Sequence, residues 1–268
     1  MVKAKMLLAL LALLAGCATD TLPCGADERC GVDDGDYLAW APDGWNGRDT
    51  LPVIVRFHGH GGTPDGGSVN PLRDAANAAG ALLLLPEGEA NTWNVTGIEG
   101  FSATQRDELA FMDDVLADAS ERFPLDPDRR LATGFSQGTS VAVLLACARP
   151  EDWPAAYAMS GTFWDPQPTA CLAPAPIRHV HGDTDGTWPR SGRPIGPATQ
   201  GDIDESLALW RQANGCGAET ETFEDGPLLC TRWTDCTGAA VEDCRHGEGH
   251  TRLDGWADRT LAWWDAQG

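Results

Sequence analysis

Basic charge is what this chain has least of. Its 268 residues carry 19 Lys and Arg against 40 Asp and Glu, a formal net charge of −21, and no lysine occurs after residue 5. Binding to nucleic-acid phosphates needs clustered Lys and Arg, so nucleic acid is excluded as a partner. Polyanionic polymers and direct adhesion to acidic lipid are excluded on the same ground. No apolar run approaches the roughly 20 residues that a membrane-spanning helix needs. No two cysteines stand in C-x₂-C spacing, which counts against a structural zinc site. No internal repeat is present. What remains is a chain with 42% hydrophobic residues and 11 tryptophans, too core-rich for a disordered acidic polymer. A chain of this length buries about 70–75% of its unfolded surface, enough for one large α/β domain with no metal or disulfide needed to fold it.

The first 16 residues carry Lys3 and Lys5 and then an apolar run from Met6 to Ala15, the pattern of an export signal. Leu14-Ala15-Gly16-Cys17 resembles the bacterial lipobox. That resemblance implies cleavage before Cys17, diacylglycerol on its thiol and acylation of its amine, hence a membrane partner reached through lipid. An ordinary signal peptide, with Cys17 there by chance, is the alternative. Each buried CH₂ of such chains contributes about 0.8 kcal/mol, so two or more chains anchor stably. Loss of residues 1–16 leaves 17 arginines against 40 acids, a net −23. It also leaves eight cysteines, and an even set in an exported chain reads as disulfides. The expected pairs are Cys24–Cys30, Cys147–Cys171, Cys216–Cys236 and Cys230–Cys244, although spacing alone does not fix connectivity. Residues 17–35, rich in Asp, Gly and Cys, read as a linker, and residues 36–268 as one folded domain.

Strand and helix patterns alternate along that domain. Pro52 to Phe57, Ala81 to Leu85, Leu131 to Phe135, Ala155 to Met159 and Ile177 to His181 read as strands. Pro71 to Ala79, Asp107 to Phe123, Gln137 to Ala148, Ile203 to Ala213 and Trp256 to Ala266 read as helices. Leu109, Met112, Leu116, Ala119 and Phe123 fall on one helical face. Residues 219–246 read as two or three antiparallel strands with a turn at Thr237-Gly238. Apolar strands alternating with helices imply a mostly parallel sheet covered on both faces.

Gly134-Phe135-Ser136-Gln137-Gly138 is a G-x-S-x-G motif placed between a strand and an apolar helix, the context of a nucleophile elbow. His58-Gly59-His60-Gly61-Gly62 directly follows a β-branched strand, where backbone amides can face an oxyanion. The donors expected are the N–H groups of His60 and Gln137. A serine hydroxyl needs an imidazole to take its proton, and the imidazole needs a carboxylate to hold its tautomer. In the order Ser, Asp, His, the segments His181-Gly182-Asp183-Thr184-Asp185 and Gly247-Glu248-Gly249-His250 supply both. His250 is the expected base and Asp185 the expected acid, with Asp183 the rival. Trp93, Trp164 and Trp188 follow segments that feed the active end of the sheet and are candidate substrate contacts. Two other readings compete. His179-x-His181-x-Asp183, with His58, could supply a metal hydrolase, although that motif wants His where Thr184 stands. A polysaccharide-binding lipoprotein without catalysis could display the tryptophans.

The run from Glu121 to Arg130, followed by T-G-F-S-Q-G, resembles the secreted polyhydroxybutyrate depolymerase and feruloyl esterase group of α/β-hydrolases. So do HGHGG, Asp107-Glu108, Leu145-Ala146-Cys147, HGDTD, Asn214-Gly215-Cys216 and GEGH, in that joint order over roughly residues 37–255. The resemblance implies an α/β-hydrolase fold and an exported serine esterase; the net negative charge leaves neutral esters, polymeric ones included, as the expected substrates. The resemblance also implies no cofactor and no metal, and a triad of Ser136, Asp185 and His250. Two positions depart from it: Thr139 stands where a third glycine is common, and T-R-L-D follows His250 where the group usually has T-W-P-G.

Overall fold

The computed structural model describes residues 24, 29–99 and 101–268. Residues 1–16, read above as an export signal, and Cys17 lie outside the described residues. In chain order the strands are β1 (Cys30–Val32), β2 (Gly35–Trp40), β3 (Leu51–Phe57), β4 (Leu82–Pro86), β5 (Leu125–Phe135), β6 (Ala155–Met159), β7 (Trp164–Asp165), β8 (Ile177–Gly182), β9 (Pro194–Ile195), β10 (Ala198–Gln200), β11 (Thr220–Asp225), β12 (Leu228–Trp233) and β13 (Val241–His246). The helices are α1 (Asn70–Ala78), α2 (Glu108–Arg122), α3 (Gln137–Ala148), α4 (Ile203–Ala213) and α5 (Trp256–Asp265). Ten strands form one sheet in the order β1-β2-β4-β3-β5-β6-β8-β13-β12-β11. Its six central strands, β4 to β13, run parallel, with antiparallel pairs at both edges. This is the α/β-hydrolase architecture.

Period-two alternation decides which face each side chain joins. Val53, Val55 and Phe57 of β3 pack with Leu82 and Leu84 of β4 against α2 and α3. Ile54, Leu83 and Leu85 point the other way, toward Leu72 of α1 and Trp256, Leu261 and Trp264 of α5. A third cluster joins the far side of α3 to Ile203, Leu207 and Trp210 of α4. The starts of α2 and α4 are fixed by carboxylates: Asp107 accepts from the N–H of Leu109 and Ala110, and Asp202 from those of Asp204 and Glu205.

Three features differ from the sequence expectations. Residues 30–32, read as linker, are the edge strand β1, so the sheet begins before residue 36. The buried stripe of α2 is centred on Phe111, Met112, Val115 and Ala119, with Leu109 only half-buried at its flank. A small separate sheet, β7-β10-β9, lies between β6 and α4 in the chain. At the C-terminal side, β11 and β12 are antiparallel while β13 also joins β8 in parallel. Cys230 and Cys244 face each other across β12 and β13. Cys24–Cys30, Cys147–Cys171 and Cys216–Cys236 are bonded as well, so all four expected pairs are present.

Candidate active site

The parallel strands β3, β5, β8 and β13 deliver their following loops to one edge of the sheet, the edge where open α/β sheets bind ligands. At the end of β5 the chain turns directly into α3 through Ser136, whose φ is +57° and ψ −127°. A non-glycine residue in this region is strained, and the surroundings hold it there. The Ser136 N–H donates to Met159 O at 2.9 Å. The flanking glycines have no room for a side chain. A Cβ on Gly134 would lie 2.3 Å from the Gly138 backbone, and one on Gly138 would lie 2.3 Å from Phe57 O. Ser136 thus sits at the N-terminus of α3, whose first N–H, that of Gln137, has no partner within the helix.

Asp185 and His250 meet across the loops after β8 and β13. His250 Nδ1 lies 2.7 Å from Asp185 Oδ2. A carboxylate only accepts, so Nδ1 carries the proton and Nε2 is free as a base. The other oxygen, Asp185 Oδ1, accepts from the N–H of Thr187 at 2.9 Å and of Trp188 at 2.8 Å. The Asp185 side chain is fully buried. Asp183, by contrast, is 43% exposed and pairs with Arg245 on the surface. Ser136 and His250 face a common cleft but make no direct hydrogen bond. The Phe135 ring packs against the His250 ring at 4.8 Å.

The glycine-rich loop after β3 is braced from below. His58 is buried; its Nδ1 donates to Gly59 O at 2.9 Å and its Nε2 accepts from the Gly88 N–H at 3.0 Å. Both ring nitrogens are therefore used. His60 Nδ1 lies 3.1 Å from Thr92 Oγ1, and that hydroxyl donates to Gln137 Oε1 at 2.9 Å. Thr92 thus ties the two residues expected to carry the oxyanion donors, a link that no sequence pattern announces. Asn91, at φ +59°, adds a second tie by accepting from the Gly61 N–H at 2.8 Å.

A cleft of about 500 Å³ opens beside Ser136, His60 and Gln137. Its far walls are aromatic and aliphatic: Phe101, Trp164, Trp188 and Ile195. Trp164 packs edge-on to Trp188 at 5.4 Å and against Phe101 at 5.2 Å. Trp93 is a correction. It is fully buried beneath the loop, donates its Nε1–H to His58 O at 2.8 Å and packs edge-on to Phe57. It supports the site from within the core and does not reach the cleft.

The remaining histidines are also buried. His179 Nε2 lies 3.1 Å from Gly161 O, and His181 Nε2 lies 3.0 Å from Trp188 O. Among the described residues, no three His, Cys, Asp or Glu side chains converge as a metal site would require. His58 therefore cannot join His179 and His181 as the metal reading needs. Burial pushes the His58 pKa down to about 4 and that of His181 down as well, the nearby His179 adding to the latter. Between pH 6.5 and 4 the unfolded chain binds protons that these folded-state imidazoles refuse. Stability is fully present above 6.5 and falls as pH drops through this window, by at most roughly 1.4 kcal/mol per unit for each such histidine. Thermal melts should show the midpoint falling steadily from pH 6.5 to 4, and a flat midpoint would contradict this placement.

Known proteins resemble this chain in sequence and in fold. The model of the Esterase family, described as "Putative esterase", matches residues 38–213. A probable feruloyl esterase C from Aspergillus flavus is 28% identical over 136 residues, covering 48% of this chain and 47% of that protein. Feruloyl esterase B from Piromyces equi is 24% identical over 236 residues, covering 80% of this chain and 42% of that protein. The chain spans about half the length of the curated relatives it matches. Among solved structures, an acetyl xylan esterase from Aspergillus awamori superposes with a TM-score of 0.66 at 15% identity, over 89% of this chain and 98% of that one. A carboxylesterase from Bacillus cereus gives 0.59 at 18% identity, over 87% and 95%.

Proposed function

We propose, since this chain belongs to the Esterase family, that it is a carboxylic-ester hydrolase working through an acyl-enzyme on Ser136. The observation that carries this reading is the 2.7 Å bond from His250 Nδ1 to the buried Asp185, beside a serine held at positive φ in the same cleft. Ser136 Oγ attacks the ester carbonyl while His250 Nε2 takes its proton. The N–H groups of Gln137 and His60 stabilise the tetrahedral oxyanion. Each such donor is worth about 2.7–4 kcal/mol in the transition state. His250, now doubly protonated and held by Asp185, returns the proton to the departing alcohol. Water then cleaves the acyl-enzyme by the same relay.

The aromatic cleft on the oxyanion side suits a flat, apolar acyl group, in keeping with the feruloyl esterases among the relatives. A purely carbohydrate-binding role fits less well, because Trp164 and Trp188 are almost wholly buried and leave little ring surface for a sugar to stack on. A panel of methyl hydroxycinnamates, acetylated xylan and hydroxybutyrate oligomers tests the acyl assignment. Methyl ferulate should be cleaved faster than acetylated xylan; cleavage of acetylated xylan alone would contradict an aromatic acyl pocket. Four disulfides support export to an oxidising compartment. Anchoring through lipid on Cys17 rests on the lipobox resemblance.

A further inference from the structure

On the His250 side of Ser136 the cleft changes character. A space of about 470 Å³ there is bounded by Ser136, Ser68, Phe135 and His250 and by two arginines, Arg56 and Arg252. Arg56, on β3, is only 3% exposed. Its Nη2 donates to Ser68 Oγ at 3.1 Å and its Nη1 lies 3.5 Å from Thr63 O. Arg252 follows His250 by two residues. Its guanidinium lies 4.5 Å over the Phe135 ring and 5.3 Å from that of Trp256, and its Nη1 is buried with no hydrogen-bond partner. Among the described residues no carboxylate pairs with either arginine.

The other buried arginines among the described residues are matched with acids: Arg106 with Glu108, Arg130 with Asp152 and Arg178 with Glu242. A protein with 40 acidic residues has left two neighbouring guanidiniums without one, next to its nucleophile. Burial lowers both pKa values, that of Arg56 to about 10 with the charge of Arg252 adding to the effect, and both stay charged at neutral pH. Arg56 is buried and Arg252 half-buried; unpaired charge taken out of water is costly, and an anionic ligand would offset it.

Resting on the serine-esterase reading above, we propose that this half of the cleft binds the alcohol part of the ester, and that the preferred alcohol carries a carboxylate. The side is dictated by the chemistry. The departing oxygen takes its proton from His250 Nε2, so the alcohol lies on the His250 side and the acyl group on the aromatic side. The Ser136 Oγ–acyl bond forms as the bond from the acyl carbon to the alcohol oxygen breaks. The serine proton passes through His250 to that oxygen, and a hydroxy acid leaves with its carboxylate still ionised. The fixed fork of a guanidinium matches a carboxylate with two parallel hydrogen bonds. The overall negative charge repels long anionic polymers, while these two residues select a single small anion.

The test compares kcat/KM for 4-acetoxybenzoate and 4-acetoxybenzamide, which share an acyl group and differ in the charge of the leaving phenol. The wild-type protein should favour the carboxylate by about tenfold or more, the worth of one charge-assisted contact. Arg252→Gln should reduce that ratio about fivefold or more, and Arg252→Lys should retain part of it. A wild-type ratio near one, or a ratio unchanged in Arg252→Gln, overturns the proposal. Calorimetric binding of 4-hydroxybenzoate and 4-hydroxybenzamide to Ser136→Ala separates the two levels. Tighter binding of the carboxylate, with the wild-type protein turning over neither ester nor p-nitrophenyl acetate, would sink the esterase reading and keep the anion site. Turnover of both esters without preference sinks the anion site alone.

Discussion

Ser136→Ala is expected to lower turnover of p-nitrophenyl acetate by about 10⁴-fold while leaving the protein folded. The fold survives because alanine meets the same backbone strain at φ +57° as serine does, and the N–H bond to Met159 O needs no side chain. The glycines at 134 and 138, which leave no space for a Cβ, are untouched. Activity is lost because no other hydroxyl stands at the elbow for His250 to activate. The residual rate is what the oxyanion amides and substrate binding supply without a nucleophile. Circular dichroism and thermal melting matching the wild type, together with the lost activity, make the expected pair of results. Full activity in this variant would remove the nucleophile from the account.

Asp185→Asn is expected to cost about 10³- to 10⁴-fold in kcat at neutral pH with little change in KM. The hydrogen bonds of Asp185 force this outcome. One carboxylate oxygen accepts from two backbone N–H groups, of Thr187 and Trp188, and an asparagine must keep its carbonyl oxygen there. Its NH₂ is then turned toward His250 Nδ1. An NH₂ cannot accept, so the imidazole moves its proton to Nε2, the nitrogen that must accept the serine proton. The matched control is Asp183→Asn, at the exposed Arg245 pair, which should change kcat by less than about twofold. Equal losses in the two variants would contradict the assignment of Asp185.

Much of the nucleophile's surroundings could be read from the chain because the constraints there are local and chemical. A serine between two glycines, at a strand-to-helix join, leaves few other uses for those residue types. The even set of cysteines and the Asp-x-Asp after β8 were legible for similar reasons, although only the fold fixes the cysteine pairing and separates a buried Asp185 from an exposed Asp183. What stayed hidden has no period to betray it. The strands β1, β7, β9 and β10 are two or three residues long, too short for alternation to register, yet the sheet of the last three places Trp164, Ile195 and Gln200 at the cleft. Thr92 works through a side-chain bridge between segments 32 and 45 residues away in the chain. Trp93 was misplaced because sequence proximity to the active edge does not say which way a ring points. The net charge was equally uninformative at short range: it is the property of a solvated surface, and it conceals two unpaired arginines beside the serine.

The central claim is a covalent acyl-enzyme on Ser136, and peptide mapping by mass spectrometry after exposure to a fluorophosphonate tests it most directly. A single adduct on the peptide containing Ser136, accumulating in step with the loss of esterase activity and insensitive to EDTA, is the result the account predicts. Ester hydrolysis that persists with no adduct, or that EDTA abolishes, would contradict it.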